Sequence, residues 1–188
     1  MNENKQQLVD LYSANKKNTS GNIFFVGLMG AGKTTIGRAL AKLQHKIFYD
    51  ADHEIERRTG VNIPLIFELE GETGFRKRET SVILELCEST NIIMATGGGA
   101  VMAAENKQAL KNSGIVIYLR AHVNELWLRT RNDKSRPLLQ TDNPREKLEQ
   151  LLKIRDPHYS EIADFIVDTA SQPVSHIVNK IEQLLQKS

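Results

Sequence analysis

A single cysteine, Cys87, in a chain of 188 residues excludes an internal disulfide framework and suits a reducing compartment. Its neighbours Leu84 and Leu86 make it a buried, inert thiol rather than a nucleophile. Long apolar runs are missing as well. The longest, from Ile23 to Met29, has seven residues including a glycine, far short of the roughly 20 that a membrane-spanning helix needs. The opening MNENKQQ carries no apolar stretch of a secretory signal, so the expected location is cytoplasmic. Neither sign of charge is in excess: 25 Lys and Arg face 23 Asp and Glu, a formal +2 that is too weak to imply a nucleic-acid or membrane partner. There is no internal repeat and no low-complexity tract. Trp127 and the histidines His45, His53, His122, His158 and His176 show no metal-ligand spacing and belong to packing or to the surface.

What is present is an ordinary globular composition, 40% hydrophobic and 26% charged, in a chain long enough to bury roughly 70% of its unfolded surface. Residues 1–21 are polar and rich in Asn and Lys, and read as a loosely docked extension. Residues 22–188 read as one domain. Short apolar, β-branched runs at 23–26, 47–49, 92–95, 115–119 and 165–167 alternate with helical spacing at 33–43, 75–88, 106–112, 123–131, 144–154 and 174–186. That alternation predicts an α/β fold, a parallel sheet covered by helices on both faces. The stretch 131–144 is the one long polar segment inside the body, a length that marks a functional or mobile loop.

Gly27-Leu28-Met29-Gly30-Ala31-Gly32-Lys33-Thr34-Thr35 matches G-x-x-x-x-G-K-[ST]. It follows an apolar strand and opens a helix with an apolar face at Ile36, Leu40 and Leu43, the context that makes it a phosphate loop. Backbone N–H groups of Gly30, Ala31, Gly32 and the residues after them would cradle phosphate oxygens at a helix N-terminus. Lys33 supplies a cation for the β- and γ-phosphates, and the Thr34 hydroxyl is a hard oxygen suited to Mg²⁺. The chain therefore binds a nucleoside triphosphate.

The second strand ends Tyr49-Asp50-Ala51-Asp52. Read as extended, it points both carboxylates one way past the strand's carboxyl end, where doubly wound sheets bind ligands. One carboxylate can hold Mg²⁺ through water while the other takes a proton from an attacking hydroxyl. The third strand runs into Thr96-Gly97-Gly98-Gly99 with no carboxylate, which favours Asp50 for the metal. Three glycines in a row let a ligand lie directly on backbone N–H groups. The arginines Arg76 and Arg155, with Arg129, Arg131, Lys134 and Arg136 around the long loop, fit two tasks: a clamp on a substrate carboxylate, and neutralisation of the moving phosphoryl group from a closing lid.

These residues resemble the shikimate kinase family. GLMGAGKTT at 27–35, DADHEIE at 50–56, GETGFRKRE at 71–79, TGGG at 96–99 and RPLL at 136–139 carry the likeness, and RDPHY at 155–159 and VDTASQP at 167–173 extend it. The resemblance implies a three-layer αβα sandwich of the P-loop kinase type with a five-stranded parallel sheet and a mobile lid around 129–144. It implies transfer of the ATP γ-phosphate to the 3-hydroxyl of shikimate, with Mg²⁺, in aromatic amino-acid synthesis by way of chorismate. By the same likeness, Asp52 is the base and a substrate contact, and Asp50 joins Thr34 at the metal. Arg76 and Arg155 grip the shikimate carboxylate, Gly98 touches the substrate between Gly97 and Gly99, and Glu79 helps hold the substrate arginine. Arg136 reaches the phosphates from the lid, and Arg129 and Pro173 sandwich adenine. The expected partners are ATP and shikimate, bound to a monomer.

Three other readings compete. A kinase of another small hydroxy acid, such as gluconate, would share the fold. A guanine-nucleotide switch would show N-K-x-D, but the two N-K pairs read Asn106-Lys107-Gln108-Ala109 and Asn179-Lys180-Ile181-Glu182. A nucleic-acid modifier would need a stronger basic excess.

Overall fold

The computed structural model describes residues 21–133 and 136–187. The polar extension expected at 1–21 therefore lies outside the described residues except for Gly21, and so does Lys134 of the long loop.

Five strands form one parallel sheet in the order β2-β3-β1-β4-β5: β1 (Ile23–Val26), β2 (Ile47–Asp50), β3 (Ile92–Ala95), β4 (Ile115–Arg120) and β5 (Phe165–Asp168). Every residue of β1 and β3 is buried, as strands covered on both faces must be. The edge strand β2 is only half covered, and Ile47 is exposed. Helices connect the strands: α1 (Lys33–Gln44), α2 (Ala51–Thr59), α3 (Ile63–Cys87), α4 (Ala104–Ser113), α5 (Val123–Thr130), α6 (Pro144–Ile162) and α7 (Val174–Leu185). Helix α1 packs against α7, while α3, α4 and α6 pack in succession. Cys87 is buried in the core as expected. At the amino ends of the strands the buried Asn22 side chain donates to Ser89 O (2.7 Å) and accepts from Ile92 N (3.1 Å), so it anchors β1 to β3 through polar groups that would otherwise be stranded. Among the described residues no helix is long and apolar enough to cross a membrane.

Three elements depart from the sequence reading. Residues 51–59 form a helix, α2, where extended chain was expected through Asp52. Asp50 caps it, accepting from the N–H of Asp52 (3.1 Å) and His53 (3.4 Å). The helix of 75–88 begins twelve residues earlier, at Ile63, capped by Asn62, and breaks at Gly71 (φ 67°, ψ −178°), a conformation open only to glycine. Helix α6 runs on past Pro157 to Ile162 rather than stopping at 154. Pro157 has no N–H to bond the carbonyl of Lys153, and both residues lie on the exposed face of the helix.

Candidate active site

The carboxyl ends of β1, β2 and β3 open on a cleft of about 580 Å³. This is the crevice where doubly wound sheets place their ligands. Residues 27–32 wrap its floor. Gly30 (φ 80°) and Gly32 (φ 97°) take left-handed turns, and the N–H of the buried Ala31 bonds Leu28 O (3.1 Å), so the loop closes on itself and turns directly into α1. The first turn of α1 carries no acidic residue, which leaves its N-terminal amides and dipole free for an anion. Lys33 Nζ lies across the loop on Gly27 O (2.8 Å) and Leu28 O (3.1 Å). Burial pulls its ammonium down to about 8, against the opposing pull of the Asp52 carboxylate.

Asp50 and Asp52 do converge on the cleft, by a route other than the one expected. Asp50 ends the strand, and Asp52 projects from the first turn of α2 instead of sitting two residues along an extended segment. Thr34 Oγ1 donates to Asp50 Oδ2 at 2.6 Å, so a hydroxyl and a carboxylate oxygen stand side by side. That pair of hard donors fits Mg²⁺, which takes few protein ligands and completes its shell with water and phosphate oxygens. Among the described residues no cluster of three or more His, Cys, Asp or Glu forms a metal cage.

Asp52 Oδ1 is sealed from solvent and has no hydrogen-bond partner among the described residues. Burial, and then the nearby carboxylates of Glu79 and Asp50, push the Asp52 carboxyl up to about 6. The fully buried Glu79 holds Arg76 Nη1 at 2.7 Å through Oε2, while its Oε1 is also sealed and unpartnered. Burial pushes Glu79 up, against the pull of Arg76. Arg76 is bracketed on its other side by Glu72 (2.8 Å). Opposite stands Arg155, 5% exposed in mid-helix on α6, with Nη1 sealed and unpartnered.

Gly97, Gly98 and Gly99 line the cleft between these side chains. A Cβ at Gly97 would collide with Glu79 Oε1 and stand 2.9 Å from Asp52 Oδ1; one at Gly99 would enter the Arg76 guanidinium. Gly97 and Gly99 are needed first to admit the site's own side chains, beyond any contact of ligand with bare backbone. Gly97→Ala is expected to raise the acceptor's KM about tenfold and to cost about 1–3 kcal/mol of stability as an overpacking change, read by steady-state kinetics and thermal melting.

Arg129 is exposed and ties two segments: Nη1 donates to Gly30 O (3.1 Å) and Nη2 to Thr169 O (3.0 Å) after β5. Arg136 lines the cleft with its Nε on Asp133 Oδ2 (2.8 Å). Thr35 also lines it, but Ala31 is buried beneath the loop and Pro173 sits outside the cleft wall, exposed, as the cap of α7. Sequence reasoning missed the apolar wall of Ile63 and Phe67 on the first half of α3, where Phe67 meets Phe75 at 4.8 Å. It gave no role to Glu56, whose Oε1 accepts from Ile63 N (3.0 Å) and so orients that wall. It also gave none to Tyr159, whose hydroxyl donates to the Gly98 carbonyl. His53, assigned with the other histidines to packing or to the surface, is exposed and lines the cleft.

The family model described as shikimate kinase matches residues 29–186. The chain belongs to the shikimate kinase family. The shikimate kinase of Burkholderia lata is 58% identical over 165 residues, which span 88% of this chain and 90% of that one. A shikimate kinase from Acinetobacter baumannii, solved in complex with shikimate, is 50% identical with a TM-score of 0.88, over 93% of this chain and 97% of its own. A gluconokinase from Sinorhizobium meliloti reaches a TM-score of 0.57 at 18% identity, over 90% of this chain and 98% of that one, a likeness of fold alone. Like the other shikimate kinases, this chain is an ATP-dependent small-molecule kinase with a three-layer αβα fold.

Proposed function

We propose that the cleft transfers the γ-phosphate of ATP to the 3-hydroxyl of shikimate, giving shikimate 3-phosphate and ADP. One observation carries this reading. Three sealed polar atoms face the cleft without partners, the acceptors Asp52 Oδ1 and Glu79 Oε1 and the donor Arg155 Nη1. An unpartnered buried polar atom is costly, and these three belong to residues that line one cleft, where a ligand can complete them. A polyol acid can do so, its hydroxyls donating to the two carboxylate oxygens and its carboxylate accepting from Arg155.

The phosphates bind the amides of loop 27–32 and the N-terminus of α1, and Lys33 leaves the carbonyls of Gly27 and Leu28 to meet the β- and γ-phosphate oxygens. Arg155 and Arg76 take the shikimate carboxylate, with Glu79 fixing the Arg76 guanidinium. Asp52 then accepts the proton of the 3-hydroxyl while that oxygen forms its bond to the γ-phosphorus. The bond from the γ-phosphorus to the bridging oxygen breaks, its electron pair leaving on ADP. Thr34 and Asp50 would hold Mg²⁺, which when bound would neutralise phosphate charge. Residues 129–144 act as the lid, Arg136 bringing a guanidinium to the transferring group, and Arg129 and Pro173 hold the adenine. Such a site works mostly by positioning and charge stabilisation. The enzyme is taken as a cytoplasmic monomer without nucleic-acid or membrane partners, a reading supported by its single cysteine and near-balanced charge.

The direct test supplies purified protein with ATP and Mg²⁺ and either shikimate or gluconate. ADP release with shikimate alone is expected; release with gluconate alone, or with neither acid, overturns the assignment.

The pH profile follows from the two displaced groups. As the base must be ionised, kcat/KM for shikimate falls about tenfold per unit once pH drops below about 6, the value to which Asp52 is raised. In the free enzyme Lys33 loses its proton above about 8, so kcat/KM for ATP falls on that side. Bound phosphates favour the ammonium, and the alkaline limb of kcat lies higher than that of kcat/KM.

A further inference from the structure

The segment between β5 and α7 takes a turn that its sequence does not favour. Ser171 is one of three non-glycine residues in the left-handed region among those described, with φ 48°, a conformation that the Cβ of an L-residue disfavours. Something must hold it. The Glu125 carboxylate on α5 does: Oε1 accepts from the Ser171 N–H at 2.9 Å and from Ser171 Oγ at 3.3 Å. Oε2 is sealed from solvent and has no hydrogen-bond partner among the described residues, so the carboxylate has no competing attachment on its other side.

Glu125 stands one helical turn before Arg129, and residues four apart on a helix share a face. From that face Arg129 reaches the same segment at Thr169 O (3.0 Å) and the tip of the phosphate loop at Gly30 O (3.1 Å). One face of α5 therefore grips the 169–173 connection at two points and the phosphate loop at a third. Arg129 can be recruited by a ligand, since it is exposed and its hydrogen bonds are to carbonyls and a hydroxyl. Glu125 is not among the residues that line the cleft, and its side chain bonds Ser171 of the connection.

We infer that Glu125 is a positioning residue for the nucleotide: by clamping Ser171 in its left-handed turn it sets the 169–173 connection at the height where the base of ATP is received beside Arg129. The inference rests on the reading of this cleft as an ATP site. It predicts an effect on the nucleotide alone, because Glu125 has no contact with Asp52, Arg76 or Arg155.

ADP affinity by titration calorimetry tests it without any acceptor, so failure of the shikimate reading and failure of this one give different results. In Glu125→Ala the ADP Kd and the ATP KM should each rise about tenfold, the effect of losing a hydrogen bond to a charged acceptor, while the shikimate KM stays within about twofold. Glu125→Gln keeps an oxygen for the Ser171 N–H and should recover to within about threefold of the parent for ADP. If Glu125→Ala binds ADP like the parent, or if the shikimate KM moves as far as the ATP KM, the positioning role is wrong. If Glu125→Gln is as weak as Glu125→Ala, the carboxylate acts through its charge and not through the clamp, which also overturns the inference. A parent protein that binds ADP but turns over no shikimate would remove the acceptor assignment and leave this test intact.

Discussion

Asp52→Asn should lower kcat with shikimate by about 10²-fold or more, the range of general-base removal, while ATP affinity stays near that of the parent. The amide keeps the shape and can still hydrogen-bond the 3-hydroxyl, but it cannot take the proton. The same substitution should make the protein more stable at neutral pH. Asp52 is raised to about 6 by burial and by the carboxylates of Glu79 and Asp50. A carboxyl whose folded value exceeds its unfolded value binds protons more tightly when folded. Its ionisation therefore opposes folding, the penalty growing from about pH 4 to about pH 6 and staying constant above. Removing the charge relieves it, and each kcal/mol recovered is worth about 2–4 °C in Tm for a chain of this length. Steady-state kinetics and a thermal melt at pH 7.5 check both halves. Activity and stability moving in opposite directions mark a group kept for chemistry, whereas a parallel fall would make Asp52 a packing residue. A kcat within about threefold of the parent would take it out of the base role.

Arg155→Ala should raise the shikimate KM by roughly ten- to more than a hundredfold, the loss of a charge-assisted hydrogen bond worth about 1.5–3 kcal/mol, with the ATP KM within about twofold. The reason is its burial. A guanidinium 5% exposed, with Nη1 sealed and unpartnered, has no water to replace a lost ligand. Arg155 also eases the charge on the buried Glu79 carboxylate, so the alanine variant changes more than one interaction. Arg155→Lys separates the two: it retains a positive charge near Glu79 but loses the planar fork that grips a carboxylate. A lysine variant with parental Tm and a shikimate KM still raised about tenfold places the effect in recognition. Parental KM in both variants would mean that the carboxylate binds elsewhere.

The phosphate loop was legible because its chemistry demands a fixed spacing: three glycines, Lys33 and Thr34 in one turn between a buried strand and an amphipathic helix. The strands were legible because covered parallel strands are short, continuous and apolar, as 23–26 and 92–95 are. The D-x-D pair lines the cleft from a helix start and not from an extended strand end. Residues 51–59 carry charge on most positions and bury only Ala51, Glu54 and Ile55, so no apolar stripe announces a helix. Its ends did: Asp50 before it and Gly60 (φ 73°) after it are cap residues. The first half of α3 is set off from the second by the non-helical turn at Gly71, although Asn62 with Pro64 two residues on marks a helix start. Pro157 likewise suggested a stop after 154, yet α6 carries Arg155 in mid-helix, one turn before Tyr159. Contacts across long separations, such as Glu125 with Ser171 or Tyr159 with Gly98, leave no periodic trace, and only the fold brings them together.

The proposed transfer requires acceptor and phosphate to meet face to face between Asp52 and the loop at Gly27. A crystal structure of the protein with ADP and shikimate measures this directly. The 3-hydroxyl is expected about 2.6–3.2 Å from an Asp52 carboxylate oxygen, turned toward the β-phosphate of ADP in loop 27–32, with the shikimate carboxylate on Arg155. A shikimate whose carboxylate points into the loop, or whose 3-hydroxyl lies beyond reach of Asp52, would contradict it.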